Sequence, residues 1–112
     1  MNYLTCPLLT YEEIKILKEN LSSNDRDWED GKKTAGSLAS KVKNNLQLSR
    51  NSDSSKKNAD FIVKKLLTST LIKSFALPRK IHGIMFTKSS VGMRYGRHVD
   101  NAYMSSGRAD LS

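Results

Sequence analysis

The sequence has 112 residues, with 19 lysines and arginines against 11 aspartates and glutamates, a net charge of +8, and 38% hydrophobic residues. This length allows one small domain, and no apolar run approaches the roughly 20 residues that a membrane-spanning helix needs. The single cysteine, Cys6, excludes an intrachain disulfide framework and a zinc site built from several cysteines. Because the start also lacks the features of a secretory signal, we expect a chain in the reducing cytoplasm with no membrane partner.

The charge is unevenly distributed. Residues 1–31 contain three basic and seven acidic residues, whereas residues 32–112 contain sixteen basic and four acidic ones. Such a basic segment is one mark of a small nucleic-acid-binding module. Its lysines are scattered over the polar faces of predicted helices, and no recognised nucleic-acid-binding motif accompanies them. Nucleic-acid binding therefore stays an alternative that the sequence does not favour.

The first predicted element is a helix over residues 11–21. Thr10 is followed three positions later by Glu13, the spacing of a capping box, in which a hydroxyl and a carboxylate serve backbone donors of the first turn. Apolar side chains then recur at helical spacing at Ile14, Leu17 and Leu21. The pattern predicts an amphipathic helix.

The middle of the chain gives mixed signals. Ala39–Leu48 fits both a period of two and a helical period, and we favour a strand. Ser49–Asn58 is rich in serine and asparagine, which predicts an exposed linker overlapping the next element. Apolar residues then follow helical spacing from about Asp53 to Thr70, and Pro78 predicts the end of the helical region.

Strand signals follow Pro78. Side chains alternate over Ile81–Phe86, and glycines at positions 92, 96 and 107 predict turns. Asp110–Ser112 has the character of the opening of another strand, so we expect the chain to stop within a fold. The predicted class is α+β.

The strongest chemical signal is His98 followed by Asp100. In a strand, side chains two positions apart point to the same face, so an imidazole and a carboxylate at this spacing can bind one metal ion. A second histidine from a distant strand would complete the facial triad of non-haem iron oxygenases. The alternative is a surface histidine that lies near an aspartate by chance.

The context of this pair resembles the metal-site strand of the PKHD-type hydroxylases, a group of iron(II)/2-oxoglutarate-dependent dioxygenases. That family carries Gly-x-x-(Tyr/Phe)-Gly-x-His-Val-Asp-Asn-Ala, and the matching residues here are Gly92, Tyr95, Gly96, His98, Val99, Asp100, Asn101 and Ala102. Further similar segments occur in the family's order: Trp28-Glu29-Asp30-Gly31, Thr34-Ala35-Gly36, Lys43-Asn44-Asn45, Gln47-Leu48, Ala76-Leu77-Pro78 and Arg108-Ala109-Asp110-Leu111-Ser112.

The resemblance implies a fold and an activity. N-terminal helices would pack on an incomplete double-stranded β-helix, or jelly roll, with residues 1–77 as a support region and residues 78–112 as the start of the dioxygenase domain. His98 and Asp100 would bind Fe(II), with 2-oxoglutarate as cosubstrate, dioxygen as oxidant and possible support from L-ascorbate. The implied reaction converts 2-oxoglutarate to succinate and carbon dioxide while a C–H bond of an unidentified substrate is hydroxylated.

Other matching residues have two readings each. Asn101 would orient the carboxylate of Asp100 or simply begin a loop. Gly92 and Gly96 would allow a bulge or tight bend beside the ligands, although a turn glycine is the better reading for Gly92. Tyr95 would pack or face the cosubstrate, with packing favoured, and Trp28 would be an apolar anchor of the N-terminal layer.

The chain also departs from the family. Where the family commonly has Asn-Arg-Tyr, this chain has Thr87-Lys88-Ser89, so Ser89 does not supply that tyrosine. The resemblance places the third iron ligand and the basic residue for 2-oxoglutarate on later strands, and His82 precedes the motif and is interpreted as an ordinary strand residue. We therefore expect the N-terminal portion of a hydroxylase that alone binds iron weakly and turns over nothing; a non-catalytic remnant is the further alternative.

Overall fold

The computed structural model describes residues 3–23, 25–101, 103–104 and 107–108. Within them the chain forms three α-helices and seven short strands, which confirms an α+β composition. The helices are α1 (Tyr11–Ser22), α2 (Asp53–Thr68) and α3 (Thr70–Ala76). The strands are β1 (Trp28–Asp30), β2 (Lys43–Asn44), β3 (Leu46–Leu48), β4 (Thr87–Lys88), β5 (Arg94–Tyr95), β6 (Tyr103–Met104) and β7 (Gly107–Arg108). The strand opening predicted at 110–112 lies outside the described residues.

Helix α1 begins where its capping signal predicts. Thr10 Oγ1 accepts a hydrogen bond from the Glu13 amide at 3.2 Å, and the Glu13 carboxylate accepts one from the Thr10 amide at 3.0 Å. This reciprocal pair satisfies two of the donors that the first turn leaves without partners. The helix predicted over residues 11–21 is confirmed and continues one residue further, to Ser22.

Helix α2 begins earlier than its serine-rich composition suggests. Ser52 caps the helix by accepting a hydrogen bond from the Ser55 amide at 3.1 Å, so the exposed linker predicted over Ser49–Asn58 is wrong beyond Ser52. Serine favours helix starts as well as loops, because its hydroxyl accepts from an otherwise unpaired amide. Ser55 and Asn58 are buried in the first turns, and Asn58 Nδ2 donates to the Ser54 carbonyl at 2.7 Å.

The helical region ends at the predicted proline. The helix predicted from about Asp53 to Thr70 is confirmed as α2, and α3 follows it, capped by the Ser69 hydroxyl. Leu77 then adopts a left-handed backbone with φ of 46°, directly before Pro78. A residue before proline is disfavoured in a right-handed helix, and proline has no amide hydrogen to continue one.

An ion pair joins two of the helices, and Trp28 joins the helices to the strands. Helices α1 and α2 pack together, and an ion pair between Lys65 and Glu13 links them. Trp28 Nε1 donates to the Leu21 carbonyl at 3.3 Å. Lys88 Nζ lies 4.7 Å from the ring centroid of Trp28. Trp28 therefore contacts both the end of α1 and strand β4, while its role as an apolar anchor stays a prediction.

The strands of the described residues form three small antiparallel sheets. β3 lies between β1 and β4 in the first, β2 pairs with β5 in the second, and β6 pairs with β7 in the third. In the second sheet Lys43 is opposite Tyr95. Strands that precede α2 thus pair with strands that follow α3, across the division between residues 1–77 and 78–112. That division into two regions stays a prediction.

Two strand predictions need correction. The strand predicted over Ala39–Leu48 is confirmed only for Lys43–Asn44 and Leu46–Leu48, which belong to different sheets, and Ala39–Lys41 form a short 3-10 helix. The strand predicted over Ile81–Phe86 is wrong, since these residues lie in no strand and β4 begins at Thr87. Alternating side chains indicate an extended chain, but a strand also requires a neighbouring backbone in register.

Burial in the sheet region is mainly polar. Leu48, 2% exposed, is the one fully buried hydrophobic residue in the described part of the chain, and Lys43, Asn45 and Gln47 are buried as well. The three polar residues alternate with less buried neighbours, as expected for side chains on one side of an extended segment. Thr34 Oγ1 donates a hydrogen bond to Gln47 Oε1 at 2.6 Å.

Candidate metal centre

His98 and Asp100 meet in a segment that has no regular structure. Residues 96–101 follow β5 and form no helix or strand, so the prediction that the pair lies in a strand is wrong. The two side chains nevertheless converge, with His98 Nε2 at 3.1 Å from Asp100 Oδ1. Side chains at this spacing need no strand partner to meet, provided that the chain between them is not helical.

The imidazole of His98 is oriented by the backbone. Its Nδ1 lies 2.8 Å from the Gly96 carbonyl oxygen, and because a carbonyl only accepts, Nδ1 donates and carries a proton. Nε2 is therefore the nitrogen that faces Asp100. Metal-binding histidines use this arrangement, with one nitrogen toward the metal and the other donating to a carbonyl or carboxylate.

The spacing of the two candidate ligand atoms suits a shared cation. Metal–nitrogen and metal–oxygen bonds of about 2.0–2.2 Å at a right angle would separate the two ligand atoms by about 3 Å, close to the observed 3.1 Å. The side chains are 25% exposed for His98 and 73% exposed for Asp100, so ions from solvent can reach them. Either a proton on Nε2 or a metal ion can bridge the pair.

Tyr95, the last residue of β5, stacks on this imidazole. The ring centroids of Tyr95 and His98 are 3.8 Å apart and the rings are within 3° of parallel. Lys43, opposite Tyr95 across the sheet, places its Nζ 4.9 Å from the centroid of the same tyrosine ring. Lys43 is 3% exposed, and burial lowers its pKa while the charge of Asp30 acts in the other direction. A buried cation, an aromatic ring and the imidazole thus form a continuous series of contacts.

Gly96 links the sheet to the candidate site. Its amide donates to the Val42 carbonyl at 2.8 Å, and a Cβ at position 96 would lie 2.8 Å from the Val42 Cβ. Glycine is therefore needed here because the backbone closely approaches Val42, the residue before β2. Gly92, by contrast, has φ of 86° in a turn where the Met93 amide donates to the Ser90 carbonyl at 2.9 Å, so its interpretation as a turn glycine is confirmed.

The remaining predicted site residues lie apart from this arrangement. Asn101 Oδ1 accepts from the Tyr103 amide at 3.0 Å, as in the loop reading, and its action on Asp100 stays a prediction. His82 is exposed and lies outside the strands, which corrects its interpretation as a strand residue. Among the described residues, no group of three or more histidine, cysteine, aspartate or glutamate side chains is placed to hold a metal ion.

Sequence reasoning missed Lys43 and the stacking role of Tyr95. The segment from Lys43 to Gln47 carried a signal, because it matches part of the family pattern. That signal does not say which strand lies opposite. The contact with Tyr95 depends on the register between β2 and β5, which brings together residues 52 positions apart.

Comparison with known proteins confirms the resemblance stated from the motifs. The whole chain is 67% identical to a PKHD-type hydroxylase of Prochlorococcus marinus strain MIT 9301, 66% identical to one of strain MIT 9215 and 54% identical to one of strain MIT 9313. In each comparison the chain spans 51% of the relative, about half its length. No family model and no solved structure matches the chain.

Within the part of the chain that the structure describes, no helix is both long and apolar enough to cross a membrane. The cytoplasmic location, the absence of nucleic-acid binding and the identities of cofactor and cosubstrate stay predictions.

Proposed function

We propose that this chain, which is similar over its whole length to PKHD-type hydroxylases, supplies His98 and Asp100 as two iron ligands of a 2-oxoglutarate-dependent hydroxylase. The observation that carries the proposal is the orientation of the imidazole. Its Nδ1 proton is held by the Gly96 carbonyl, while Nε2 lies 3.1 Å from Asp100 Oδ1. A histidine that merely lay near an aspartate on the surface would not require this second, orienting hydrogen bond.

The donor set fits a ferrous ion, because imidazole suits iron and a neighbouring carboxylate completes two adjacent positions of the facial triad. When bound, Fe(II) with 2-oxoglutarate and dioxygen would supply the oxidation that hydroxylates a C–H bond of the substrate. The chain's own part is to present Nε2 and Oδ1 on one side of the metal and to keep the remaining imidazole proton on Nδ1. L-ascorbate is proposed as a reductant that keeps the iron ferrous.

The architecture proposed for the complete domain is a jelly roll with a helical support layer. Two features are in favour of it. The strands are all antiparallel, and strands that are distant in sequence pair, as β3 does with β4 and β2 with β5. The helices α1 and α2 pack together outside these sheets, with an ion pair between Glu13 and Lys65.

The 112-residue chain alone is proposed to bind iron weakly and to have no turnover. His98 and Asp100 offer a divalent ion only two protein ligands. The described residues include no group of three or more histidine, cysteine, aspartate or glutamate side chains that could hold one. Anaerobic isothermal titration of the chain with ferrous ion tests this. Weak binding is expected, and tight binding of one ion per chain would contradict the proposal.

The site itself is tested with Mn²⁺, which broadens the NMR signals of nearby nuclei and does not oxidise readily in air. We expect broadening to centre on His98 and Asp100 and to be lost in the variants His98→Ala and Asp100→Ala. His82→Ala is the matched control, because it removes the other histidine of the chain and should leave the broadening unchanged. Broadening that persists in His98→Ala would overturn the assignment of this pair as the metal site.

A further inference from the structure

We infer that Tyr95 is a positioning residue for His98, and that buried Lys43 holds the tyrosine ring in place. The hydrogen bond from His98 Nδ1 to the Gly96 carbonyl fixes one atom of the imidazole. One hydrogen bond still allows the ring to tilt about that contact. The Tyr95 ring, 3.8 Å away and within 3° of parallel, restricts this tilt by covering one face of the imidazole.

The two restraints act in different directions. The hydrogen bond lies near the plane of the imidazole, whereas the stacking contact is perpendicular to that plane. Together they define where Nε2 points, which is toward Asp100 Oδ1 at 3.1 Å. A metal ligand on a loop rather than on a strand needs such support, because the backbone around it has no neighbouring strand to hold it.

Tyr95, itself 38% exposed, is in turn contacted by a lysine that is removed from water. Lys43 is 3% exposed, and its Nζ lies 4.9 Å from the centroid of the tyrosine ring. A cation over an aromatic face attracts it electrostatically, and the attraction is stronger when the cation is desolvated. The β2–β5 pairing places Lys43 and Tyr95 opposite each other, so the backbone pairing brings together the same two residues whose side chains are in contact.

The ammonium group of Lys43 has few other polar or charged partners. Its hydrogen bond to Thr34 Oγ1 is long, at 3.4 Å, and Asp30 acts on it by charge. Burying an ammonium group is costly unless it is well paired. We therefore assign to this buried cation the role of holding the Tyr95 ring beside His98.

The orientation part of this inference is independent of any metal, whereas its consequence for metal affinity rests on the proposed function. Histidine ring NMR separates the two. In the 112-residue chain, the His98 carbon-bound protons should be shifted upfield by the Tyr95 ring current, with His82 as a reference within the same molecule. The ring nitrogen shifts of His98 should show the proton on Nδ1.

Three variants test the inference. Tyr95→Phe keeps the ring and should keep the upfield shift and the Mn²⁺ affinity of the unmodified chain. Tyr95→Leu should lose the shift and weaken Mn²⁺ binding several-fold, with unchanged far-ultraviolet circular dichroism. Tyr11→Leu, the same substitution at a tyrosine that is 78% exposed on α1, is the matched control and should change neither quantity.

Lys43→Met keeps the length of the side chain and removes its charge, so it tests the second half of the inference even if Tyr95→Leu does not fold. We expect a reduced upfield shift for His98 and a smaller loss of Mn²⁺ affinity than in Tyr95→Leu. Unchanged His98 shifts in Lys43→Met would overturn the role of the lysine, and unchanged Mn²⁺ affinity in a folded Tyr95→Leu would overturn that of the tyrosine. Absence of Mn²⁺ broadening at His98 in the unmodified chain would instead contradict the proposed metal site, while the ring-current result would still decide the orientation.

Discussion

The helical layer and the sheet layer of this molecule bury different kinds of residue. Helix α1 has no buried residue, and α2 buries only Ser55 and Asn58 near its start. The sheet region, by contrast, buries a lysine, an asparagine and a glutamine in addition to Leu48. Close packing of polar groups beside the candidate site makes the sheet region sensitive to small changes, whereas the helices depend on end caps, on packing against each other and on a half-buried ion pair.

Gly31→Ala should give the largest loss of stability, because Gly31 is buried against the polar cluster. A Cβ there would collide with Asn45 Oδ1 and lie 3.0 Å from the Asn45 carbonyl oxygen and from Lys43 Cε. Inserting a methyl group into a packed interior typically costs about 1–3 kcal/mol. Urea unfolding measures this cost.

Gly36→Ala is the matched control, since a Cβ at position 36 would meet no atom within 4 Å. In the background of Asn45→Ala the cost of Gly31→Ala should shrink, because the colliding side-chain oxygen is gone. Equal stability of the Gly31→Ala and Gly36→Ala variants would show that the sheet region is no more tightly packed there than the surface loop.

Thr10→Ala should have the next largest effect, in the helical layer. It removes the hydroxyl that accepts from the Glu13 amide at 3.2 Å, and loss of such a cap costs about 1 kcal/mol. Circular dichroism during urea unfolding provides the measurement. Thr5→Ala, at an exposed threonine before the helix, should leave the unfolding midpoint in place. If both substitutions have the same effect, the cap does not stabilise α1.

Lys43→Met should leave the free energy of unfolding near neutral pH unchanged or slightly higher, because it removes a buried charge. Burial lowers the pKa of Lys43 below 10.5, so in the alkaline range below 10.5 the unfolded chain binds more protons than the folded one. The free energy of unfolding of the unmodified chain should therefore rise slightly as the pH rises through this window.

That alkaline contribution should be missing in Lys43→Met and present in Lys41→Met, which changes an exposed lysine two residues earlier. Urea midpoints at neutral and alkaline pH make the comparison. A large loss of stability in Lys43→Met at neutral pH would show that the lysine contacts outweigh the cost of burial, contrary to this expectation.

The smallest effect is expected at Glu13. Its hydrogen bond with Lys65, aided by the Thr10 amide, holds the pKa of the carboxyl below 4.5. A carboxyl whose pKa is lowered in the folded state stabilises that state above pH 4.5, and the contribution is lost as the pH falls through the folded-state pKa. Glu13→Gln should therefore flatten the acid dependence of the urea midpoint slightly, and Glu12→Gln should change it less. Identical acid profiles in all three proteins would contradict the pairing.

The sequence predicted best those features that depend on neighbouring residues. The capping box at Thr10 and the end of the helical region before Pro78 use interactions within a few positions, and both are confirmed. The convergence of His98 and Asp100 also follows from short spacing. Ser52 was misread because serine serves loops and helix caps alike. The short strands and the stacking of Tyr95 beside Lys43 depend on which distant segments pair, and side-chain alternation alone does not specify a partner.

The peptide groups of Gly96 give the candidate site a measurable link to the sheet. The amide donates to Val42, and the carbonyl accepts from the His98 imidazole. Whenever β5 separates from β2, that amide proton becomes free to exchange with solvent deuterium. The exchange rate of one backbone proton would thus report how often the histidine loses its support, in the absence of any metal or substrate.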